Sequence, residues 1–544
     1  MIRCCSLLLA LLLVSSVPSF AQDQSGNTGS IHGTVVDAKT SQPLAGATVS
    51  LQNFQQSGRP AGMNSATTTA ADGSFLFRNL LPGSYRVSAT HNGYVSSARR
   101  PRAGAQSPGS AVSLTAGQTV DDVVVRLMPT GVITGHITNE RDEPMPGVLV
   151  QTMKASYGSG HREFSDARTG FTDDRGEFRV WGLAPGQYFL KATNPRFTER
   201  GPIPNQVYVP IFYPGVVDPA QSQSIELHPG EELSGINLSL PAQRTVHVKG
   251  RVLTSNGIPA KGSDVTLSQF AGDGYSLEVE TDPAGRFDLA AVPPGPYSIV
   301  SQSSDNSMSG HLQMGRASIS VGDTPVDVPD LVLFPGATIS GHLRIEGDRK
   351  VTLPRTMASL KPLSADASAG VDSAAVQSDG SFTFHDVPEG EYGVTVSPLP
   401  DGYYVKTTRD TPAAAILVSH GHAPPIEVHI SPGAIRIQGT VYKDSDNQQV
   451  AASVTVALVP DAARRSNEEY YRVAISNQSG QFTLANVPPG DYSLFAFENV
   501  DREIVMDPAF LQRYEGAGKS IHIEEGANQN LQLQLTADAQ DSSQ

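Results

Sequence analysis

The chain of 544 residues carries 39 Lys and Arg against 54 Asp and Glu, a formal net charge of −15. That balance argues against a nucleic-acid partner, which rewards concentrated positive charge. Charged residues are only 17% of the chain while Gly and Pro number 51 and 39, a composition of short strands and frequent turns that excludes a helical bundle.

Residues 1–21 read as a secretory signal. The start is basic at Arg3, an uncharged apolar run follows from Leu7 to Val14, and small residues stand at Ser19 and Ala21. The run is too short to span a bilayer and no later one is long enough, so no transmembrane segment is expected after cleavage. Cys4 and Cys5 leave with the leader, so the mature chain has no disulfide and no thiolate metal site. Losing Arg3 leaves 38 basic against 54 acidic residues, or −16. Residues 22–29 form a linker.

One skeleton then recurs five times: Gly, any residue, Phe, a run alternating apolar and polar, then Gly-x-Tyr. It spans Gly73 to Tyr85, Gly176 to Tyr188, Gly285 to Tyr297, Gly380 to Tyr392 and Gly480 to Tyr492, with the two glycines ten residues apart in every copy. Internal repetition at fixed spacing identifies a tandem array. The first glycine closes a hairpin, where it supplies positive φ. Phe75 and Phe77 then alternate with polar residues and share one sheet face. Pro82-Gly83, Pro185-Gly186, Pro294-Gly295 and Pro489-Gly490 suggest a type II turn with Gly at the positive-φ position, and Pro388-Glu389-Gly390 a slightly different corner. A Tyr just past such a corner suits the tyrosine corner of Greek-key sandwiches, its hydroxyl bonded to upstream backbone. The alternative is that the ring simply fills the core.

Each copy opens on an apolar strand with a central Gly (Gly33, Gly135, Gly250, Gly341, Gly439) and closes on an alternating strand such as Val123 to Leu127. The count is about seven strands per unit of ~100 residues, which predicts an all-β chain of five tandem immunoglobulin-like (prealbumin-like) β-sandwich modules. Their expected bounds are 30–129, 130–242, 243–335, 336–433 and 434–537, with a disordered tail at 538–544. The linkers are short. Five modules in line would form a rod of roughly 200 Å, from a radius of gyration near ~13 Å per 100 residues. Arg99 to Pro108 reads as a solvated loop in the first module.

Gly33-Thr-Val35, Pro43-Leu-Ala-Gly46-Ala-Thr-Val49, Asp72-Gly73-Ser-Phe75, Leu81-Pro82-Gly83-Ser-Tyr85 and Asn92-Gly93-Tyr94 together resemble the carboxypeptidase regulatory-like domain. The other copies keep the Gly-x-Phe to Gly-x-Tyr core, but the Asn-Gly-Tyr piece is absent or altered, Asp401-Gly402-Tyr403 being nearest. The resemblance implies a transthyretin-like, prealbumin-type β-sandwich, related to starch-binding-like and collagen-adhesin B-type modules. It also implies a mostly non-catalytic accessory role, since function is set by sites and not by folds.

The search for chemistry finds little. The family's namesake accompanies a zinc peptidase, and two His-x-x-Glu pairs exist, His228 with Glu231 and His522 with Glu525. A catalytic zinc needs three converging ligands, and neither pair has a third nearby in sequence, so both read as turn residues. His420, His422 and His429 lack an accompanying carboxylate or fourth ligand. Asp444-Ser-Asp446-Asn447 resembles the start of a calcium loop without its Gly and terminal Glu. No nucleophile elbow or Walker loop occurs. Lys249 has no Asn in its closing strand for the isopeptide cross-link of some collagen-adhesin B-type modules. No catalytic residue, metal site or cofactor is expected.

The candidate binding residues lie in the second module. Trp181 is the only tryptophan, and it fills a slot held elsewhere by Arg78, Ala290, His385 and Ala485, which points to solvent. The same module carries an insertion with Tyr208, Phe212 and Tyr213. Together they offer an aromatic platform for a sugar face or a partner loop. Alternatively Trp181 packs under that insertion or against a neighbouring module. The expectation is a secreted, non-enzymatic protein of the cell envelope or extracellular space, in the periplasm, at the cell surface or beyond. Its partner is a protein, or alternatively a polysaccharide, and more remotely it is an accessory to a hydrolase.

Overall fold

A computed structural model describes residues 28–536 apart from the short stretches 55–59, 97–109, 159–160, 196–204, 270–272, 305–311, 348–352, 354, 364–372, 407–414, 444–448, 453, 466, 478, 499, 501 and 527–528. The expected signal with Cys4 and Cys5, most of the expected 22–29 linker, the Arg99–Pro108 stretch, the Asp444–Asn447 stretch and the expected tail lie outside the described residues. Among the described residues, no helix is long and apolar enough to cross a membrane. Two compact units are present: residues up to 92 with 98–127, and residues 93–97 with 128–544.

The first repeat shows how the skeleton folds. Its strands are β1 (Gly29–Asp37), β2 (Thr48–Phe54), β3 (Pro60–Thr68), β4 (Ser74–Leu80), β5 (Gly83–Thr90), β6 (Tyr94–Ser96), β7 (Ser110–Leu114) and β8 (Thr119–Pro129). β4, β1 and β8 lie side by side in one sheet, and β3-β2-β5-β7 form the other. β1 runs antiparallel to β4 and parallel to β8. Alternation along β1, β4 and β5 places Ile31, Val35, Phe75, Phe77, Tyr85 and Val87 between the sheets, where all are buried.

The same two-layer arrangement recurs in the second unit. In the fourth repeat Ser381–Val387, Ala337–Ile345, Ile426–Pro432 and Tyr403–Val405 form one sheet, and Ser373–Ala375, Met357–Pro362, Gly390–Ser397 and Ile416–Val418 the other. The third repeat departs from it. There Leu312–Val321 also pairs with Leu331–Pro335, which makes the two layers one continuous sheet. The chain is thus built of immunoglobulin-like β-sandwich repeats.

Two glycines per repeat are required by close approach. The central Gly of each opening strand pairs with the Phe of the hairpin, Gly33 with Phe75 and Gly250 with Phe287. A methyl group on either would lie 2.6 Å from Cζ of that ring. The hairpin glycines Gly73, Gly176, Gly285, Gly380 and Gly480 all take left-handed φ, between 71° and 90°. Side chains on them would meet the carbonyl of the opening strand, 2.7 Å away for Gly73 and Val35.

The tyrosine corner is present in all five copies. The hydroxyls of Tyr85, Tyr188, Tyr297, Tyr392 and Tyr492 donate to the carbonyls of Leu81, Ala184, Pro293, Pro388 and Pro488, each four residues upstream, at 2.6 to 3.0 Å. Burial pushes the Tyr85, Tyr297, Tyr392 and Tyr492 hydroxyls up, so they remain donors.

The corner itself is not the type II turn expected. Gly186, Gly295 and Gly490 have φ of 139° to 152°, well beyond the roughly +80° of that turn, and Gly83 and Gly390 are not left-handed. The left-handed residue lies four positions earlier, at Asn79, Gly182, Asp386 and Asn486. There each strand bulges against the opening strand of its repeat. Asn, Asp and Gly are the residues that tolerate this conformation, so the signal was present in the sequence.

A buried hydroxyl also went unread. Thr172, four residues before the hairpin Gly, accepts from Val148 N at 2.9 Å and donates to Met145 O at 2.6 Å. Thr69, Thr281 and Ser476 make the same two bonds in their repeats, while the fourth repeat carries Val376 there.

The expected straight rod does not describe residues 128–544. Arg162 of the second repeat bonds Asp507 of the fifth at 3.3 Å, so these four repeats do not run in line. Their junctions are specific. Lys361 reaches Glu468 at 2.6 Å between the fourth and fifth, and the Phe334 ring meets His420 edge-on between the third and fourth.

Candidate binding surface

Trp181 lies on the strand Glu177–Leu183, whose alternation turns Phe178, Val180 and Leu183 inward. Trp181 pairs with Val132 just before the bulge at Gly182 and points outward, 66% exposed. Its slot is exposed in every repeat, at Arg78, Ala290, His385 and Ala485. The Arg168 guanidinium lies 3.8 Å from where a side chain on the adjoining Gly182 would begin.

Tyr208 and Phe212 do not join that platform. Tyr208 is 6% exposed and Phe212 fully buried. Phe212 packs with Met153 and Phe189 in a cluster on the outer face of the sheet formed by Leu149–Gly158 and Gly186–Thr193. Tyr208 belongs to the strand Gln206–Tyr208, which pairs with Ala242–Arg244 at the entry to the third repeat. Tyr213 is half-buried, its N–H donating to Leu190 O at 2.9 Å. The insertion covers its own sheet because that sheet is apolar on both faces. The run Tyr188-Phe189-Leu190 shows this, since consecutive apolar residues replace alternation.

A second exposed aromatic was missed. Phe171 is 63% exposed on the strand that leads into the hairpin before Trp181. Its slot holds Thr68, Glu280, Ala375 and Ile475 elsewhere, all exposed. Comparing that slot across the copies would have found it.

The polar groups of the region are mostly committed to one another. Arg175 pairs with Glu177 at 3.4 Å and Arg179 with Glu232 at 3.7 Å. Burial lowers the Lys191 ammonium below its ordinary range, with Asp273 and Asp166 opposing that, and burial raises the Asp273 carboxyl.

The residues of the two His-x-x-Glu pairs make local bonds. Glu231 accepts the backbone N–H of His228 at 2.7 Å, as Gln118 accepts that of Thr115 at 2.8 Å. His522 faces Asp491 at 2.7 Å. His420 packs on Phe334, while His429 lies 3.8 Å from Glu427. Among the described residues, no three His, Cys, Asp or Glu side chains converge to hold a metal ion.

Residues 30–128, the first repeat, match the carboxypeptidase regulatory-like domain family. Colossin-A of Dictyostelium discoideum is 24% identical over 500 residues, covering 83% of this chain but 4% of Colossin-A. The BOS complex subunit NOMO1 of Mus musculus is 26% identical over 205 residues, covering 37% of this chain and 14% of that subunit. The chain therefore spans a small fraction of these curated relatives. Among solved structures, a streptococcal ancillary pilin aligns over 56% of this chain and 99% of its own at 11% identity and a TM-score of 0.20. The minor pilin GBS52 of Streptococcus agalactiae aligns over 39% and 95% at 14% identity and a TM-score of 0.23.

Proposed function

We propose that this chain is a secreted, non-catalytic binding and structural protein of the cell envelope or extracellular space, whose second repeat presents an aromatic edge to a protein partner. The observation that carries this reading is the exposure of Trp181 in a slot that is polar or small in the other repeats. Phe171, on the strand that precedes Trp181's, is a second exposed aromatic of the same repeat. Exposed aromatic area of this kind supplies binding energy at low entropic cost.

The alternative partner is a polysaccharide, since one exposed indole also stacks on a sugar face. A glycan array and pull-downs on cellulose, starch and peptidoglycan, run beside envelope-protein capture with the full chain and Trp181→Ala, separate the two. Trp181-dependent capture of protein supports the proposal, and Trp181-dependent retention on a glycan replaces it. Turnover of a substrate by the purified chain would overturn the non-catalytic part.

A further inference from the structure

The contact between the second and fifth repeats joins residues 345 positions apart. On one side is the hairpin of Leu149–Gly158 and His161–Phe171. On the other is the insertion of the fifth repeat, which contains the short helical segments Arg502–Met506 and Pro508–Gln512.

Each side is held by its own repeat. The insertion buries Val505, Phe510, Leu511 and Tyr514 on the outer face of the fifth repeat's sheet, against Phe495 and Phe497. The Phe497 ring lies 4.9 Å from Tyr514 and 5.3 Å from Phe510. In the second repeat, Phe164 meets Phe189 edge-on at 5.1 Å, and the Arg162 guanidinium lies 4.9 Å over the Phe189 ring. Arg162 then reaches across to Asp507. Tyr157 lies beside this pair, its hydroxyl pushed up by burial first and by Asp507 second. Burial likewise pushes the Tyr471 hydroxyl of the fifth repeat up to about 12.

We infer that this contact is a clasp that closes residues 128–544 on themselves and that opens without unfolding either repeat. Three features support it. The apolar cores on each side are complete within their own repeats. The polar link between them is a largely buried ion pair beside the close approach of Leu149–Gly158 to Arg502–Met506, and the pair's Coulomb attraction is offset by desolvation. Arg162 Nε is buried with no hydrogen-bond partner, which weakens the closed state further. Tethering through short linkers raises the effective concentration of the two faces, so a weak contact suffices to populate closure.

The test uses the full chain with Arg162→Glu, Asp507→Arg and the double exchange. Small-angle scattering reads the radius of gyration, and amide exchange reads residues 153–158 and 504–514. Each single variant should enlarge the radius and lower the protection of both segments together, while the ladder bonds between Leu149–Gly158 and His161–Phe171 persist. The double exchange should restore both. Protection of Ile133–Ile137 and Val456–Leu458 should stay constant, which separates opening from unfolding. The inference is overturned if the single variants change neither radius nor protection, if the double exchange restores nothing, or if those core strands lose protection too. Light scattering supplies a further arm. A two-chain mass that falls to one with Arg162→Glu would place the contact between chains and overturn closure within one.

Discussion

The second and fourth repeats share one skeleton and part ways at a ladder position on the outer face of one sheet. In the second, Met153 pairs with Phe189 across adjacent strands; in the fourth, Lys361 pairs with Gly393 at the same step. Both pairs face away from the sandwich core. The apolar pair calls for cover, and residues of the Tyr208–Val216 insertion supply it, with Phe212 fully buried there. The polar pair needs none. Lys361 instead reaches Glu468 of the next repeat at 2.6 Å. Inward faces of the same apolar pattern thus build the sandwich, while the outward residues decide what each sandwich is attached to.

The sharpest way to break this comparison is at the ladder pair. Phe189→Ala should destabilise the second repeat by about 3–5 kcal/mol, as for a buried aromatic. Gly393→Ala should be nearly silent, because its new methyl comes nearest the flexible Leu363 side chain, at 3.2 Å, and meets Lys361 O at an ordinary 3.9 Å. Repeat-resolved amide exchange measures both, and equal effects would remove the distinction.

A smaller difference is expected at the buried hydroxyl. Thr172→Val strands the Val148 N–H and the Met145 carbonyl, costing about 1–3 kcal/mol. Thr172→Ser should cost far less, since Ser476 performs the same task in the fifth repeat. The fourth repeat, with Val376 in that slot, has no such bond to lose.

Tyr188→Phe and Tyr392→Phe should each cost about 1 kcal/mol for one hydrogen bond, and Tyr85→Phe the same in the first repeat. Urea-dependent exchange of the adjoining strands checks this, and unchanged protection would make the ring a mere core filler.

The smallest effect is acid loosening of the hairpins. Hydrogen bonds from Ser381 and from the Glu177 N–H hold the Asp379 and Asp173 carboxyls below their ordinary value of 3.8. A carboxyl lowered by folding contributes stability above its unfolded pKa and loses it as pH falls through the folded one. Turn protection at Gly380 and Gly176 should therefore decline below about pH 3.8. The fifth repeat uses Asn477, whose Oδ1 accepts from Gln481 N at 2.9 Å, and its turn should not respond. A response there would assign the loosening to general acid expansion.

How much was legible follows from these residues. The five-fold skeleton, the inward Phe and Tyr, the solvent slot of Trp181 and the positive φ of the hairpin glycines were all readable, because each is a local consequence of period-two alternation or of glycine's missing side chain. The corner bulge at Asn79 and its counterparts was readable too, but the neighbouring Pro-Gly drew the turn to the wrong position. Tyr208 and Phe212 looked exposed because an insertion's polarity says little about the surface it lands on. The apolar runs around Phe189 and Phe495 carried that information, yet only once their outer faces are paired with something.

The amino-acid order by itself determined the repeated β-sandwich, since strand period, hairpin chemistry and the Gly–Phe fit act between neighbours in one sheet. Only the tertiary structure decided that the second and fifth repeats meet through Arg162 and Asp507 and that Phe212 closes a sheet while Trp181 stays in water. Such pairings depend on distances across hundreds of residues, where no periodic pattern in the chain specifies which surfaces come together.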